Sequence, residues 1–215
     1  MQMNQVILAY SRLPRQLPAA LRSHWRARLS PAHALRLSAD SRAQSQSILG
    51  LALACQLLSA LSGRPVGPGE LRYTKSGKPH ALGLPEFSIA HAGAWVLCAV
   101  SSDGAVGVDI EPLAPRASLP RWLTVFDAQE RAAARSARSA LSIWATKEAV
   151  LKAAGATLAE LPRVRVRGRR VEFRGQRWHC RAPRLAPRVI TCLATARPVT
   201  RLLLRAVAPA AALAP

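Results

Sequence analysis

Two long helical stretches, each followed by short strand-like runs, constrain the fold of this chain more than any other feature. Residues 40–62 carry leucine and isoleucine at three- and four-residue spacings, contain no proline, and end at a glycine. Residues 127–154 form a second helical region that is rich in alanine and arginine. Alternating apolar residues with glycine turns follow each helix, over 70–101 and 163–196. This order predicts an α+β fold built from two halves.

The length and composition agree with one large domain or two small ones. The chain has 215 residues, of which 50% are hydrophobic and 20% charged, which is enough apolar material for a globular core. The turn near Gly104 separates an N-terminal half, residues 1–104, from a C-terminal half, residues 105–205. Residues 206–215 are a low-complexity run of alanine and proline, for which we expect a disordered tail.

Several classes of protein are disfavoured by the same sequence. No run of about 18 uninterrupted apolar residues is present, and the N-terminus lacks the pattern of a secretory signal, so we expect no membrane association. The cysteines are far apart and form no metal-ligand spacing, which favours reduced thiols that fill the core of a cytoplasmic protein over a zinc site. These are Cys55, Cys98, Cys180 and Cys192.

The positive charge of the chain comes almost entirely from arginine. Lys and Arg total 31 against 11 Asp and Glu, for a net charge of +20, and this excess is spread too evenly to identify a partner. The lysines are different, because all of them lie within residues 75–78 and 147–152. An ammonium group is a compact point charge that often binds phosphate, so these two segments are candidate phosphate sites.

Two carboxylates in the run GVDIE are the sharpest local feature. Side chains alternate along a strand, so Asp109 and Glu111 share one face while the valines and the isoleucine share the other. Two such carboxylates repel each other unless a cation lies between them, and oxygen ligands suit Mg²⁺. The alternative is the polar outer face of an edge strand.

Two further polar groups have both a functional and an ordinary interpretation. Glu148 and Lys152 are four residues apart on the second helix, so they form either a surface ion pair or part of a phosphate site. His91 ends a strand-like run that follows the GKP loop. It is either a structural histidine or a hydrogen-bond donor to a phosphate in the same pocket.

Five motifs together resemble the 4′-phosphopantetheinyl transferases in order and spacing. They are GKP at 77–79, FSIAHA at 87–92, GVDIE at 107–111, a phenylalanine and a glutamate at 126 and 130, and W-x-x-KEA-x-x-K at 144–152. The chain length is similar to the surfactin-type, pseudo-dimeric branch. This resemblance implies two similar α/β halves related by pseudo-two-fold symmetry, with the active site between them.

The resemblance also implies roles for individual residues. The metal ligands for Mg²⁺ would be Asp109, Glu111 and Glu148, and the contacts to coenzyme A would be Lys78, Pro79, His91, Lys152, Arg42 and Ser47. Glu148 and Lys152 would be catalytic, the former taking a proton and the latter offsetting charge on the pyrophosphate. The family usually has serine on each side of the histidine, where this chain has Ala90 and Ala92.

The implied reaction moves the 4′-phosphopantetheine arm of coenzyme A to a serine of an apo acyl or peptidyl carrier protein and releases adenosine 3′,5′-bisphosphate. Such carriers serve fatty-acid, polyketide or nonribosomal-peptide synthesis, and we expect a monomeric enzyme with no specific nucleic-acid partner. The competing interpretation is a basic nucleic-acid-binding protein, or a Mg²⁺-dependent nuclease that uses the same three carboxylates. Aromatic residues make up only 5% of the chain, which gives little support to a base-stacking surface.

Overall fold

The computed structural model describes residues 4–13, 15–113 and 124–214, which form a mixed α+β fold. Its helices are Ala19–Arg28 (α1), Pro31–Arg36 (α2), Ser41–Ser62 (α3), Ala128–Ala133 (α4), Ala137–Ala154 (α5) and Pro209–Ala212 (α6). Its strands are Gln5–Arg12 (β1), Leu71–Tyr73 (β2), Pro79–Ala81 (β3), Glu86–Ala92 (β4), Trp95–Ser101 (β5), Val106–Pro112 (β6), Arg165–Arg167 (β7), Arg170–Phe173 (β8), Gln176–Arg181 (β9), Val189–Thr195 (β10) and Arg201–Ala206 (β11). The α+β part of the predicted fold class is confirmed.

The strands form two main sheets and a small ribbon. The first sheet has the order β11-β1-β5-β4, the second has the order β6-β10-β9-β8-β7, and β2 pairs with β3. In each main sheet the first strand of the half pairs antiparallel with a later strand, β1 with β5 and β6 with β10. The pseudo-two-fold symmetry that the resemblance implies stays a prediction.

Helix α3 is the core of the N-terminal half. Its first turn is capped by Asp40, whose side chain accepts a hydrogen bond from the Ala43 N–H at 2.7 Å, and it ends at Gly63, whose φ of 70° suits glycine. Residues Ile48–Leu58 are almost all buried and pack against β4 and β5. This burial is what the three- and four-residue spacing of its apolar residues requires.

The same helix is apolar enough to raise the question of a membrane. Residues Ser41–Ser62 have the length and a mean hydropathy, 1.4, of a possible span, judged by length and composition only. However, 67% of its most apolar 18-residue window is buried inside the fold, as in the core helix of a globular domain. The helix therefore gives weak evidence for a membrane.

Helix α5 lies directly on β6 in the C-terminal half. Ser136 caps its start by accepting from the Ser139 N–H at 3.1 Å, and Gly155, with φ 62°, ends it. The contact is close because Gly107 has no side chain: a Cβ at this position would lie 1.9 Å from the Ala149 carbonyl oxygen. This close approach brings the polar side of α5 onto the carboxylates of β6.

The two sheets meet where β4 lies against β6. The Val108 N–H of β6 donates to Ser88 Oγ of β4 at 3.1 Å, although the strands belong to different sheets. Apolar side chains of β1, β5 and β6 form one buried cluster across this junction. Residues from both halves therefore line the space beside Asp109.

The C-terminal segment differs from the expectation of a disordered tail. Strand β11 runs parallel to β1 in the first sheet, so the chain returns to its N-terminal half. Residues Pro209–Ala212 then form a short helix, and Ala212 and Leu213 are buried in the core cluster around α3. The low complexity of this segment suggested disorder. Its alanine and leucine side chains are apolar, however, so their burial in the core stabilises the folded state.

Candidate active site

Strand β6 carries two carboxylates that face helix α5. Asp109 is only 3% exposed, while Glu111, nearer the end of the strand, is half-buried. Val106, Val108 and Ile110 point the other way into the cluster between the sheets. The alternation inferred from GVDIE is therefore present, and the carboxylates do not lie on a solvated outer face.

Helix α5 supplies the groups that meet these carboxylates. Lys152 Nζ lies 2.6 Å from Asp109 Oδ1 and 3.8 Å from Glu148 Oε2. Trp144, one further turn back, donates its indole N–H to Glu111 Oε1 at 3.1 Å. Lys152 is thus more than a surface partner of Glu148, because its shorter contact is with a buried aspartate on another element.

The carboxylates are crowded and poorly solvated. Burial, followed by the charge of Asp109, raises the pKa of Glu111 to about 7. The same two causes raise the pKa of Glu148 to about 7, against the opposing effect of Lys152. The pKa of Asp109 is also raised, because its burial outweighs the attraction of Lys152. Three carboxyl groups with one nearby ammonium make an electrostatically unsatisfied site.

The donor set suits a hard divalent cation, although the side chains do not form a closed metal site as they stand. Among the described residues, no group of three or more His, Cys, Asp and Glu side chains is arranged to hold a metal ion. Asp109 Oδ2 is nevertheless buried without a hydrogen-bond partner, which is costly unless something binds it. Carboxylate oxygens in this setting fit Mg²⁺, so the metal site stays a prediction.

A cavity of about 190 Å³ opens beside this cluster. Lys78 and Pro79 of the GKP loop line one side, and Lys152 and Gly155 from the end of α5 line the other. Lys78 Nζ bonds Glu86 at 2.5 Å and the Ala153 carbonyl at 3.1 Å, which holds the GKP loop against α5. Lys78 and Lys152, which the sequence indicated as candidate phosphate-binding residues, therefore share one cavity.

The remaining predicted contacts lie farther out. His91, on β4, is exposed, and its pKa is lowered by desolvation and by the charge of Lys152, so the ring is within electrostatic reach of the cluster. Arg42 donates to the Gly93 carbonyl at 2.9 Å. Ser47 donates to the Ala43 carbonyl at 3.0 Å inside α3. In the part of the chain that the structure describes, none of these three residues lines the cavity. Their contacts to coenzyme A stay predictions.

One lysine of the second lysine segment has a structural position. Lys147 is fully buried and lies 2.8 Å from Glu130 Oε2, which is equally buried. Its ammonium also donates to the carbonyls of Leu161 and Val164, while Glu130 Oε1 accepts from the Val166 N–H. The phosphate interpretation of the lysine segments therefore does not hold for Lys147. A compact ammonium was needed there to satisfy buried carbonyls.

The sequence reasoning missed two hydroxyl groups at the cavity. Ser76 and Ser88 line it together with Ile89 and Ala156. Ser88 Oγ accepts the Val108 N–H, and its hydroxyl keeps one proton for donation. Ser88 lies two residues before Ala90 on the same face of β4, which was the signal available in the sequence.

Comparison with known proteins agrees with this geometry over the C-terminal half. Residues 105–194 match the family profile described as the 4′-phosphopantetheinyl transferase superfamily. A 4′-phosphopantetheinyl transferase of Bacillus subtilis is 33% identical over 90 residues, which are 39% of this chain and 40% of that protein. The chain thus matches well under half the length of this relative. The motifs at 77–79 and 87–92 lie outside the family match.

The matched segment is the one that carries β6 and α5, and hence Asp109, Glu111, Glu148 and Lys152. The surfactin-type branch is not distinguished by these matches. The similarity to the 4′-phosphopantetheinyl transferase superfamily is therefore shown for this segment, residues 105–194.

Proposed function

We propose that this protein transfers the 4′-phosphopantetheine arm of coenzyme A to a serine hydroxyl of an apo acyl or peptidyl carrier protein, as a surfactin-type member of the superfamily. The observation that carries the proposal is the cavity that Lys78 and Lys152 share, next to three poorly solvated carboxylates. Adenosine 3′,5′-bisphosphate is the second product.

The two lysines are the groups that bind the phosphates of coenzyme A. Lys78 is fixed by Glu86 and by the end of α5, so its ammonium is oriented before the substrate arrives. Lys152 neutralises the negative charge that develops on the adenosine-side phosphate as the serine oxygen bonds to the phosphorus of the phosphopantetheine arm and the P–O–P bond inside the pyrophosphate breaks. Ser76 and Ser88 add hydroxyl donors at the cavity, in place of the serines that the family usually has beside the histidine. His91 contributes a further hydrogen-bond donor from β4, outside the lining of the cavity.

Asp109, Glu111 and Glu148 are the residues that would hold Mg²⁺. The bound ion would supply charge neutralisation to the pyrophosphate, as is general in phosphoryl transfer. Trp144 keeps Glu111 in place through its indole N–H. The unpartnered Oδ2 of Asp109 is the atom in this set that most needs a ligand.

Glu148 is the group that takes the proton of the attacking serine. It lies on α5 one turn before Lys152 and is only 16% exposed, so it faces the cluster and not bulk solvent. A carboxylate here lies beside the lysine that stabilises the leaving group, which keeps proton transfer and bond cleavage in one place.

The test is mass spectrometry of an apo carrier protein incubated with this protein, coenzyme A and Mg²⁺. We expect the carrier to gain the mass of one phosphopantetheine arm, and a panel of apo carriers from fatty-acid, polyketide and nonribosomal-peptide synthesis reports the preferred partner. Asp109→Ala should abolish the gain. Asp103→Ala, which removes a carboxylate paired with Arg197 elsewhere, should leave it unchanged.

The same preparation also tests the competing class. A salt-titrated DNA-binding assay and a nuclease assay with Mg²⁺ accompany the carrier panel. Strong DNA binding or cleavage, with no mass gain on any carrier, would replace the transferase proposal with a nucleic-acid function.

A further inference from the structure

Two cysteines lie on neighbouring strands of the C-terminal sheet, next to the site described above. Cys180 is on β9 and Cys192 is on β10, and both are free thiols. The register places Cys180 opposite Ala194, so Cys192 lies two residues along β10 from the position directly opposite Cys180. Side chains two residues apart along a strand point to the same face. Cys180 and Cys192 are therefore diagonal neighbours on one face of the sheet, and we call them the thiol pair.

The contacts of Cys192 show that the two side chains meet. A hydrogen bond with the Cys180 side chain is the largest of the causes that raise the pKa of the Cys192 thiol, and burial is the second. The same thiol also has a hydrogen bond with the side chain of Thr146 on α5. Both cysteines pack in the apolar cluster under that helix. The thiol pair thus lies in the layer between the second sheet and α5.

Cys192 is also adjacent to a carboxylate of the candidate active site. It lies directly opposite Asp109 in the pairing of β10 with β6. Its hydrogen bond with Thr146 connects it to α5, two residues before Glu148. A displacement of Cys192 is therefore transmitted to the strand that holds Asp109 and to the helix that carries Glu148. The chemistry proposed above uses neither cysteine.

The two thiols differ in their exposure to solvent. Cys192 is only 3% exposed, so a reagent in solution does not reach its sulfur. Cys180 is half-buried and is the member of the pair that a reagent can reach. An accessible thiol next to a second thiol that resolves its adduct is the usual arrangement of redox-sensitive cysteines. Cys55 and Cys98 do not have it, because both are buried.

We propose that the thiol pair is a reversible disulfide site, which oxidised glutathione closes and free thiols reopen. In the first step the Cys180 sulfur bonds to one sulfur of glutathione disulfide, whose S–S bond breaks, and one glutathione leaves. In the second step the Cys192 sulfur bonds to the Cys180 sulfur, and the second glutathione leaves. The protein gives up two electrons and two thiol protons, and the two released glutathione molecules carry both.

Closure of this disulfide changes the neighbouring site. The Cα atoms of diagonal neighbours lie about 7–8 Å apart, whereas a disulfide needs them within about 7 Å. Strands β9 and β10 therefore draw together by up to about 1 Å, and Asp109 lies opposite the residue that moves. Because a misplacement of about 1 Å can lower turnover about 10²-fold, we expect a loss of about 10-fold or more. This effect on turnover, unlike the disulfide itself, rests on the proposed function.

The test is mass spectrometry of the intact protein after incubation with glutathione disulfide. We expect the parent protein to lose the mass of two hydrogen atoms and to recover it with dithiothreitol. Trypsin cleaves after arginine, so Cys180 falls in the peptide 178–181 and Cys192 in a peptide that begins at residue 189. These two peptides should be joined in the oxidised protein and separate in the reduced one.

Three variants accompany the parent protein. Cys192→Ala keeps the accessible thiol and should stop at the mixed disulfide, with the added mass of one glutathione. Cys180→Ser should keep its mass, because the remaining thiol of the pair is buried. The matched control is Cys55→Ala, which removes a thiol from α3 and should form the disulfide as the parent does. The Tm of each variant verifies that the fold is kept.

The movement of β10 is read from the backbone amide signals of Asp109 and Ile110 by ¹H–¹⁵N NMR, which should shift on oxidation of the parent and not of Cys180→Ser. The proposal is overturned if the parent keeps its mass, if it remains a glutathione adduct, or if the joined peptides contain Cys55 or Cys98. Unchanged amide signals would overturn the effect on the site. Because masses, peptides and amide signals report the disulfide directly, these outcomes do not depend on whether the transferase proposal is correct.

Discussion

Replacing Gly107 with alanine tests whether the close approach of β6 and α5 builds the site. A Cβ at Gly107 would lie 1.9 Å from the Ala149 carbonyl oxygen and 2.4 Å from the Ala153 nitrogen, where at least 3.0 Å is needed. The helix must therefore move away from the strand by about 1 Å or more, since both clashing atoms belong to the backbone and no rotamer change relieves them.

The magnitude follows from this displacement. Overpacking of a well-packed core costs about 1–3 kcal/mol, and a clash with helix backbone belongs at the upper end. In a chain of this size, a loss of about 3 kcal/mol lowers Tm by roughly 6–12 °C. The same movement separates Asp109 on β6 from Lys152 on α5, and a misplacement of about 1 Å can lower turnover about 10²-fold.

The assay compares Tm and carrier-protein transfer for Gly107→Ala with those for Gly67→Ala. Gly67 has open space around it, so its added methyl group should change stability by less than about 0.5 kcal/mol. A Gly107→Ala protein that melts with the parent and transfers at the parental rate would show that the spacing between β6 and α5 is not critical.

Three further substitutions test the charged groups. Lys152→Arg should lower turnover by about 10²-fold, because the larger guanidinium cannot occupy the position of the ammonium beside Asp109. Lys75→Arg, at an exposed position, should leave turnover unchanged. Equal turnover for Lys152→Arg and the parent would mean that Lys152 only forms an ion pair. Lys147→Met should cost about 3 kcal/mol in denaturant unfolding, because the buried Glu130 keeps only the longer ion pair with Arg167, at 3.7 Å, and adding Glu130→Leu should recover part of that loss. His33 is buried with a pKa lowered to about 4, by desolvation first and nearby arginines second. The contribution of neutral His33 to the free energy of unfolding should thus be complete above about pH 6.5 and fall by up to about 3 kcal/mol as the pH drops to about 4. His33→Phe should make the free energy of unfolding less dependent on pH over this range.

Much of the fold was accessible from local patterns in the sequence. Helix α3 begins and ends close to where its capping residue and glycine place it, and GVDIE forms a strand with the expected alternation. The helical region predicted over 127–154 consists of two helices, α4 and α5, and α5 ends at Gly155. These features depend on neighbours within a few residues, which is the range over which propensity and periodicity act. The short helices α1 and α2 were missed, since ten and six residues carry little periodic signal.

Other features depend on residues far apart in the chain. The parallel pairing of β11 with β1 joins residues almost 200 positions apart, and no local pattern indicates such a partner. The burial of the C-terminal segment follows from that pairing, because the residues after β11, Leu213 among them, then reach the core around α3. Local composition alone had suggested disorder there.

The site shows the same division. The sequence by itself determined which carboxylates share a strand face, and it singled out Lys78 and Lys152 because they are lysines in a chain that otherwise uses arginine. Only the tertiary structure decided that Lys152 lies against Asp109, that Lys147 is buried against Glu130, and that Ser88 reaches the cavity. Charge and alternation are properties of neighbouring residues, whereas burial and pairing arise only when separate elements pack together.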